Sequence, residues 1–338
     1  MVARRAEEVF LEMAWEVGLL ALLSALIYPG IIFLVVIALF YQWVDRRFFA
    51  KLQNRYGPIY TGPRGILQPV ADLIKLLAKE DIEPSAVDKQ IFRAVPVLIL
   101  TMPLIALFMI PITGTWALAS FEGDLIFIIF LMTLIAILAF LGGWSSTNIF
   151  SSLGGMRAAL QALGYEVPMA VSFMGPAILA GSLSVSKIVQ WQASHGLWAI
   201  LLNPLGFGIV IVAFLAELER IPFDIPEAET EIVAGWQTEF SGRKLALIRL
   251  ALDLELVLAS GLVTALFLGG PTGPIPIIPG IAWFMIKTLV LVLIFSNLRA
   301  LFARFRIDQM VSGSWKYLVP LSILQIVMLE LLLGWLSF

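Results

Sequence analysis

Eight apolar runs, each about as long as a bilayer is thick, divide this chain and leave it few folds to choose from. They cover residues 17–44, 94–114, 124–141, 158–183, 197–216, 245–269, 279–301 and 317–336. A membrane-spanning helix needs ~20 predominantly apolar residues. A soluble globule cannot hide so much apolar surface when 60% of the chain is hydrophobic and 14% is charged, so lipid must cover most of it. In lipid every backbone polar group has to be satisfied within the protein, which selects helices here. The expected fold is therefore all-α: a polytopic membrane protein with about eight transmembrane helices, forming one membrane domain over residues 1–338. The first run would be ~42 Å long as a helix, against a hydrocarbon core of ~30 Å, so it must tilt or bend. Pro29 is the expected bend, and Pro103, Pro168 and Pro204 also fall inside runs.

The basic residues give an expected orientation. Residues 45–93, 142–157, 217–244 and 302–316 carry sixteen of the 22 Lys and Arg, and Arg249 and Arg299 lie near the same face. The opposite face has Arg4, Arg5 and Lys187, while Lys287 sits inside the seventh run. By the positive-inside rule the basic stretches are expected in the cytoplasm of a prokaryotic cell, with both termini outside. Glu7, Glu8, Glu12 and Glu16 argue against a signal peptide at residues 1–16 and favour a short amphipathic helix.

Two of the inner stretches carry further pattern. Within 45–93, Ile66, Leu67, Val70, Leu73, Ile74 and Leu77 recur at helical spacing, with Asp72, Lys75, Lys79 and Glu80 on other faces. This predicts an amphipathic helix lying on the membrane surface or against a partner. Within 217–244, the segment AELERIPFDIPEAETEIVAGWQTEFSG places seven carboxylates between two apolar runs. The plain reading is solvated charge at a membrane surface. The sharper one is that this segment carries the protein's chemistry, because carboxylates at membrane depth persist mainly where they line a water-filled or protein-enclosed path. A desolvated carboxyl beside like charges titrates nearer neutral pH, as part of a coupled set. With no cysteine and one histidine, His195, the chain lacks thiolate ligands for a cluster or zinc. Any redox centre it serves is expected on a partner.

Four segments in order carry a resemblance: DRRFFAKLQNRYGPIYTGPRGILQPVADLIKLLAKEDIEP, GGWSSTNIFSSLGGMRAALQALGYEVP, the acidic segment, and RFRIDQMVSGSWKYLVP. Together they resemble the core membrane subunit of respiratory complex I, called H in bacterial NADH:quinone oxidoreductases and subunit 1 in mitochondria. Related subunits occur in archaeal complexes that oxidise ferredoxin or a deazaflavin, in membrane-bound hydrogenases and in ferredoxin-linked sulfur reductases. The resemblance implies a docking and coupling subunit of a redox-driven proton or sodium pump. A subunit of this kind carries no redox centre of its own, forms much of a quinone chamber and opens a carboxylate path. Its implied partners are peripheral iron–sulfur and hydrogenase-like subunits, antiporter-like and small membrane subunits, and the lipid bilayer; no nucleic acid is expected. No covalently bound cofactor or metal is implied; quinone is the implied ligand.

By the same resemblance, Glu166, Glu217, Asp224, Glu227, Glu229 and Glu231 fall on the proton path, with Asp72 and Glu80 in the amphipathic loop. Arg220, Phe223 and Asp224 fall at the chamber, and Arg220 and Arg243 are candidates to hold carboxylates. Glu239 lies just beyond. The chain departs from the family where Leu252 replaces a usual glutamate, with Asp253 and Glu255 close by, and where Asp45 stands for a common glutamate. Quinone-reducing and quinone-independent ferredoxin-linked complexes both remain open on these residues. A free-standing secondary transporter is disfavoured, because no internal repeat relates the two halves. Lys287 and Glu330 are open to a snorkelling role. Trp144, Trp191, Trp198, Trp236, Trp315 and Trp335 are expected in interfacial belts.

Overall fold

The structure, a computed structural model, describes residues 22–275 and 277–336. The helix expected at residues 1–16, with Arg4 and Arg5, and the start of the first span lie outside the described residues. Regular structure among the described residues is entirely helical. Seven helices are long and apolar enough to cross a membrane, and an eighth apolar helix is shorter.

Helix α1, Ile31–Leu52, continues a helical stretch from Leu22, and the chain bends around Pro29 as the sequence predicts. The amphipathic helix α2, Gln68–Ala78, carries Pro69 in its first turn, where a missing N–H leaves nothing unsatisfied. Helices α3 (Lys89–Phe108), α4 (Asp124–Ser145) and α5 (Ile149–Ala180) follow. Asp88 and Asn148 cap α3 and α5 by accepting from the Gln90 and Phe150 amides at 3.2 and 3.0 Å. Helix α5 begins well before the apolar run at 158, because Ser151, Ser152, Gly154, Gly155 and Arg157 interrupt the apolar residues of its first turns without breaking the helix.

Helix α6, Val185–His195, is not marked by an apolar run. It is fixed from across the fold: the buried Asp124 carboxylate accepts from the Val185 amide at 2.7 Å and the Ser184 hydroxyl at 3.2 Å. The run at 197–216 is not one helix. It divides into Ala199–Leu202 and α7, Pro204–Glu217, at Asn203. The fourteen residues of α7 reach only ~21 Å, short of a full hydrocarbon core. A polar clasp supports the break: Asn203 accepts from the Gly206 amide at 2.9 Å and donates to Gln325 at 2.5 Å, and Gln325 donates to the Val171 carbonyl at 3.1 Å.

The remaining helices are α8 (Gly242–Phe267), α9 (Gly280–Leu301), α10 (Ile307–Gly313) and α11 (Val319–Leu336). A π-helical turn, Ser314–Leu318, joins α10 to α11, so the last span starts earlier than residue 317. Helix α8 is buried throughout from Leu254 to Phe267, and it is packed by α1, α3 and α9. That geometry places Asp253 and Glu255 inside the bundle. Lys287 does not snorkel: it is buried and donates to the carbonyls of Leu268, Gly270 and Thr272 at 2.6, 2.9 and 2.5 Å. Trp236 also departs from its expected belt position, being 2% exposed in the core.

Candidate functional site

Glycine seats the acidic segment. Helix α7 ends at Glu217, and the chain folds back beneath the bundle to Ser241. A Cβ on Gly154 of α5 would lie 2.4 Å from the Trp236 amide nitrogen, so only glycine lets the backbone around Trp236 approach this closely. Gly235 has φ 55°, and a Cβ there would meet the Pro226 carbonyl oxygen at 1.8 Å. Gln161 of α5 ties the segment at two points, donating to the carbonyls of Ala216 at 2.8 Å and Phe223 at 2.9 Å. Glu219 and Val233 adopt left-handed φ of 49° and 63°. Such conformations cost about 1–3 kcal/mol each and persist where surrounding contacts over-determine them.

Ion pairs then fix the charges. Asp45 of α1 is 3% exposed. It pairs with Arg220 at 2.9 Å and Arg299 at 3.4 Å, and accepts from Ser296. Asp45, Arg220 and Arg299, with Asp224, Glu227, Asp253 and Arg249, line a charged cavity of about 1160 Å³ that is open to solvent. Burial pushes the Glu227 carboxyl up, partly offset by Arg249. Glu219 is driven well above the carboxylate range, by burial first and then by Glu227, although the Trp236 indole pulls the other way. Asp224 is raised by burial against the opposing pull of Arg304 and Arg299.

Two further cavities meet this one. Gln42, Arg46, Arg249 and Asp253 are shared with a cavity of about 800 Å³ beside α2, whose other walls include Leu39, Leu73, Leu76 and Leu250. On the inner side, Glu219 and Leu252 are shared with a narrow cavity, with room for little more than a single water, lined by Glu217, Glu255, Tyr165 and Gln161. Leu252 therefore stands between the two chambers, with Asp253 on one side and Glu255 on the other.

The residues singled out in the sequence distribute unevenly over this geometry. Glu217, Asp224, Glu227 and Arg220 line the connected cavities, and Glu229 is exposed at the rim of the charged one. Glu166 is half-buried on α5 beside Thr133 and lines none of these cavities. Glu231 is clamped by Arg157 at 2.6 Å and by Arg304, and the Arg157 bond holds its carboxyl below the usual range. Asp72 accepts from Arg46 at 2.6 Å and Gln68 at 2.8 Å, on the wall of the α2 cavity. Glu80 is exposed, and Arg243 is exposed with its side chain in no ion pair among the described residues. Phe223 turns away from the charged cavity and packs on Phe305, their ring centroids 5.7 Å apart. Glu239 accepts from Asn148 at 2.5 Å. Sequence reasoning left Glu219, Asp45, Arg249 and Arg299 out of the site. Glu219 was one of the seven carboxylates already visible, whereas the pairing of Asp45 with arginines far along the chain has no local signal. Among the described residues no group of three or more His, Asp or Glu is arranged to hold a metal ion.

Comparison with known proteins agrees with this architecture. The NADH dehydrogenase family model matches residues 25–330. An H-type subunit of the NADH-quinone oxidoreductase of Rhodopseudomonas palustris strain CGA009 is 42% identical over 298 residues, covering 88% of this chain and 92% of that protein. The corresponding H-type protein of Dehalococcoides mccartyi strain 195 is 40% identical over 87% of this chain and 82% of its own length. That of Geobacillus kaustophilus is 38% identical over 90% and 93%. With its helices, its acidic segment and these relatives aligned over nearly their full lengths, the chain belongs to the NADH dehydrogenase family, the H-type membrane subunits of complex I.

Proposed function

We propose that this chain is the docking and coupling subunit of a complex I-like redox-driven ion pump, and that the charged cavity is its quinone chamber. One observation carries the reading: three cavities adjoin through shared lining side chains, from an opening beside α2 with mixed apolar and charged walls, through an arginine–carboxylate chamber, to an inner cavity that holds Glu217, Glu219 and Glu255. An amphiphilic substrate entering past Leu39, Leu73, Leu76 and Leu250 meets polar and charged groups on the facing walls, Gln42, Arg46, Asp72, Lys75, Arg249 and Asp253. Relatives are named as subunits of NADH-quinone oxidoreductase, which favours a quinone over another terminal acceptor.

Reduction of a quinone to its quinol takes up electrons and an equal number of protons. In this reading the electrons arrive from iron–sulfur partners docked on the basic face, where Tyr56 and Tyr60 stand 90% and 97% exposed. The protons come from the chamber acids. Each carboxyl that gives up a proton becomes an anion beside Arg46, Arg220, Arg249 or Arg299, and like charges resist ionising together. The demand therefore passes to Glu219, which lines both the chamber and the inner cavity, and from there to Glu255, Glu217 and Glu166. Asp72 orders Arg46 at the opening, Glu231 braces the segment, and Glu80 lies on the docking face. In this reading the basic loops face the cytoplasm and both termini lie outside.

A photoreactive quinone tests the chamber. In the assembled complex it should label peptides from residues 218–229 or α8, and excess quinone should suppress that labelling. Labelling confined to lipid-facing residues of α11 would overturn the assignment.

A further inference from the structure

On the opposite side of the acidic segment from the chamber, an apolar cavity of about 880 Å³ opens between α5, α7 and the α10–α11 joint. Phe223, Met310, Gly313 and Leu318 line it. At Phe305 it meets a polar cavity of about 1000 Å³ that holds Arg157, Arg304 and Arg306 with Glu231 and Asp308. Glu231 is shared between Arg157 and Arg304. Arg306 pairs with Asp308 at 3.5 Å, and the two side chains are 79% and 68% exposed. This pocket therefore has one cation in excess. Next to it the π-helical turn presents Trp315 and Tyr317, 51% and 67% exposed, with Lys316 between them.

The basic pocket and the hydrocarbon slot adjoin at Phe305, and the slot is also bordered by Tyr317, next in sequence to Trp315 and Lys316. Aromatic and basic side chains of that kind mark the headgroup level of a bilayer, and basic pockets between spanning helices on the basic side bind anionic lipid headgroups. We infer that this composite groove is a binding site for an anionic phospholipid, its phosphate at Arg306 and Arg304 and one acyl chain in the slot above Gly313. A neutral quinone head would leave the excess cation unanswered, and so would an apolar partner helix. The bound chain would pack on Tyr165, which lines both the slot and the inner acid cavity.

The test uses the assembled complex in nanodiscs of phosphatidylcholine doped with phosphatidylglycerol carrying a diazirine in one acyl chain. The control probe is phosphatidylcholine with the same chain. One unmatched cation predicts labelling of residues 305–318 by the anionic probe about fivefold above the control. Arg306→Gln, at an exposed position, should bring that ratio close to one. Gly313→Phe should remove labelling by either probe, because Gly313 borders the slot and has open space around its Cβ direction. Equal labelling by the two probes, labelling unchanged by Gly313→Phe, full competition by quinone, or adducts on a partner polypeptide instead of this chain would each overturn the assignment.

Discussion

Replacing Asp45 with asparagine removes one charge from the chamber and nearly preserves its shape. Asp45 faces Arg220 at 2.9 Å and Arg299 at 3.4 Å, and the three side chains are 5%, 16% and 32% exposed. Removing one partner of a buried pair costs ~3–5 kcal/mol, chiefly because the remaining charge is stranded. Water reaches Arg299, and Asp253 also acts on Arg220, so the lower end applies, about 3 kcal/mol for Asp45→Asn. Equilibrium unfolding of the purified subunit in mixed micelles measures this directly. Arg220→Gln alone should also destabilise, since it leaves Asp45 with the longer contact only. The double variant should cost less than the two single changes added together, by about 1–2 kcal/mol. An Asp45→Asn protein within about 0.5 kcal/mol of wild type, or strict additivity in the double variant, would refute the claim that this pair organises the chamber.

The raised carboxyls of Glu219 and Glu227 make a prediction with a definite sign. Their folded forms hold protons above the usual value of 4.5, so wild-type stability falls as pH rises from there through the folded values. Glu219→Gln and Glu227→Gln should therefore gain thermal stability relative to wild type at about pH 8 and lose that advantage near the usual carboxylate value; a pH-independent difference would contradict it. Gly154→Ala drives a Cβ into the Trp236 backbone and should destabilise by about 1–3 kcal/mol, which thermal unfolding followed by Trp fluorescence would report.

The membrane spans were legible because lipid imposes its length scale on every apolar run. Even so, the run at 197–216 hid a break, since Asn203 is held not only by the nearby Gly206 amide but by Gln325, far along the chain. Helix α6 escaped for a related reason: its cap is supplied by Asp124 from another helix. The acids of the candidate site were visible as a cluster, but their sorting was not. Position alone could not show that Glu219 borders two cavities, that Glu231 is spent on two arginines, or that Phe223 turns toward Phe305. Asp45 and its arginines meet only after the chain has crossed the bundle several times, so no spacing rule joins them. Trp236 misled because proximity to a span end says nothing about whether a glycine opposite admits the ring to the core.

The central claim is that electron transfer is coupled to ion movement through the inner acids. Glu217→Gln keeps volume and hydrogen bonding while removing the titratable proton, and Glu217 is the acid that ends α7 inside the inner cavity. The decisive measurement is the number of ions moved per electron in vesicles containing the assembled complex, with Glu166→Gln as a second variant further along the line. The account predicts full assembly, unchanged iron–sulfur content on the partners, and a sharp fall in ions moved per electron for Glu217→Gln. A fully assembled Glu217→Gln complex that moves as many ions per electron as wild type would contradict it.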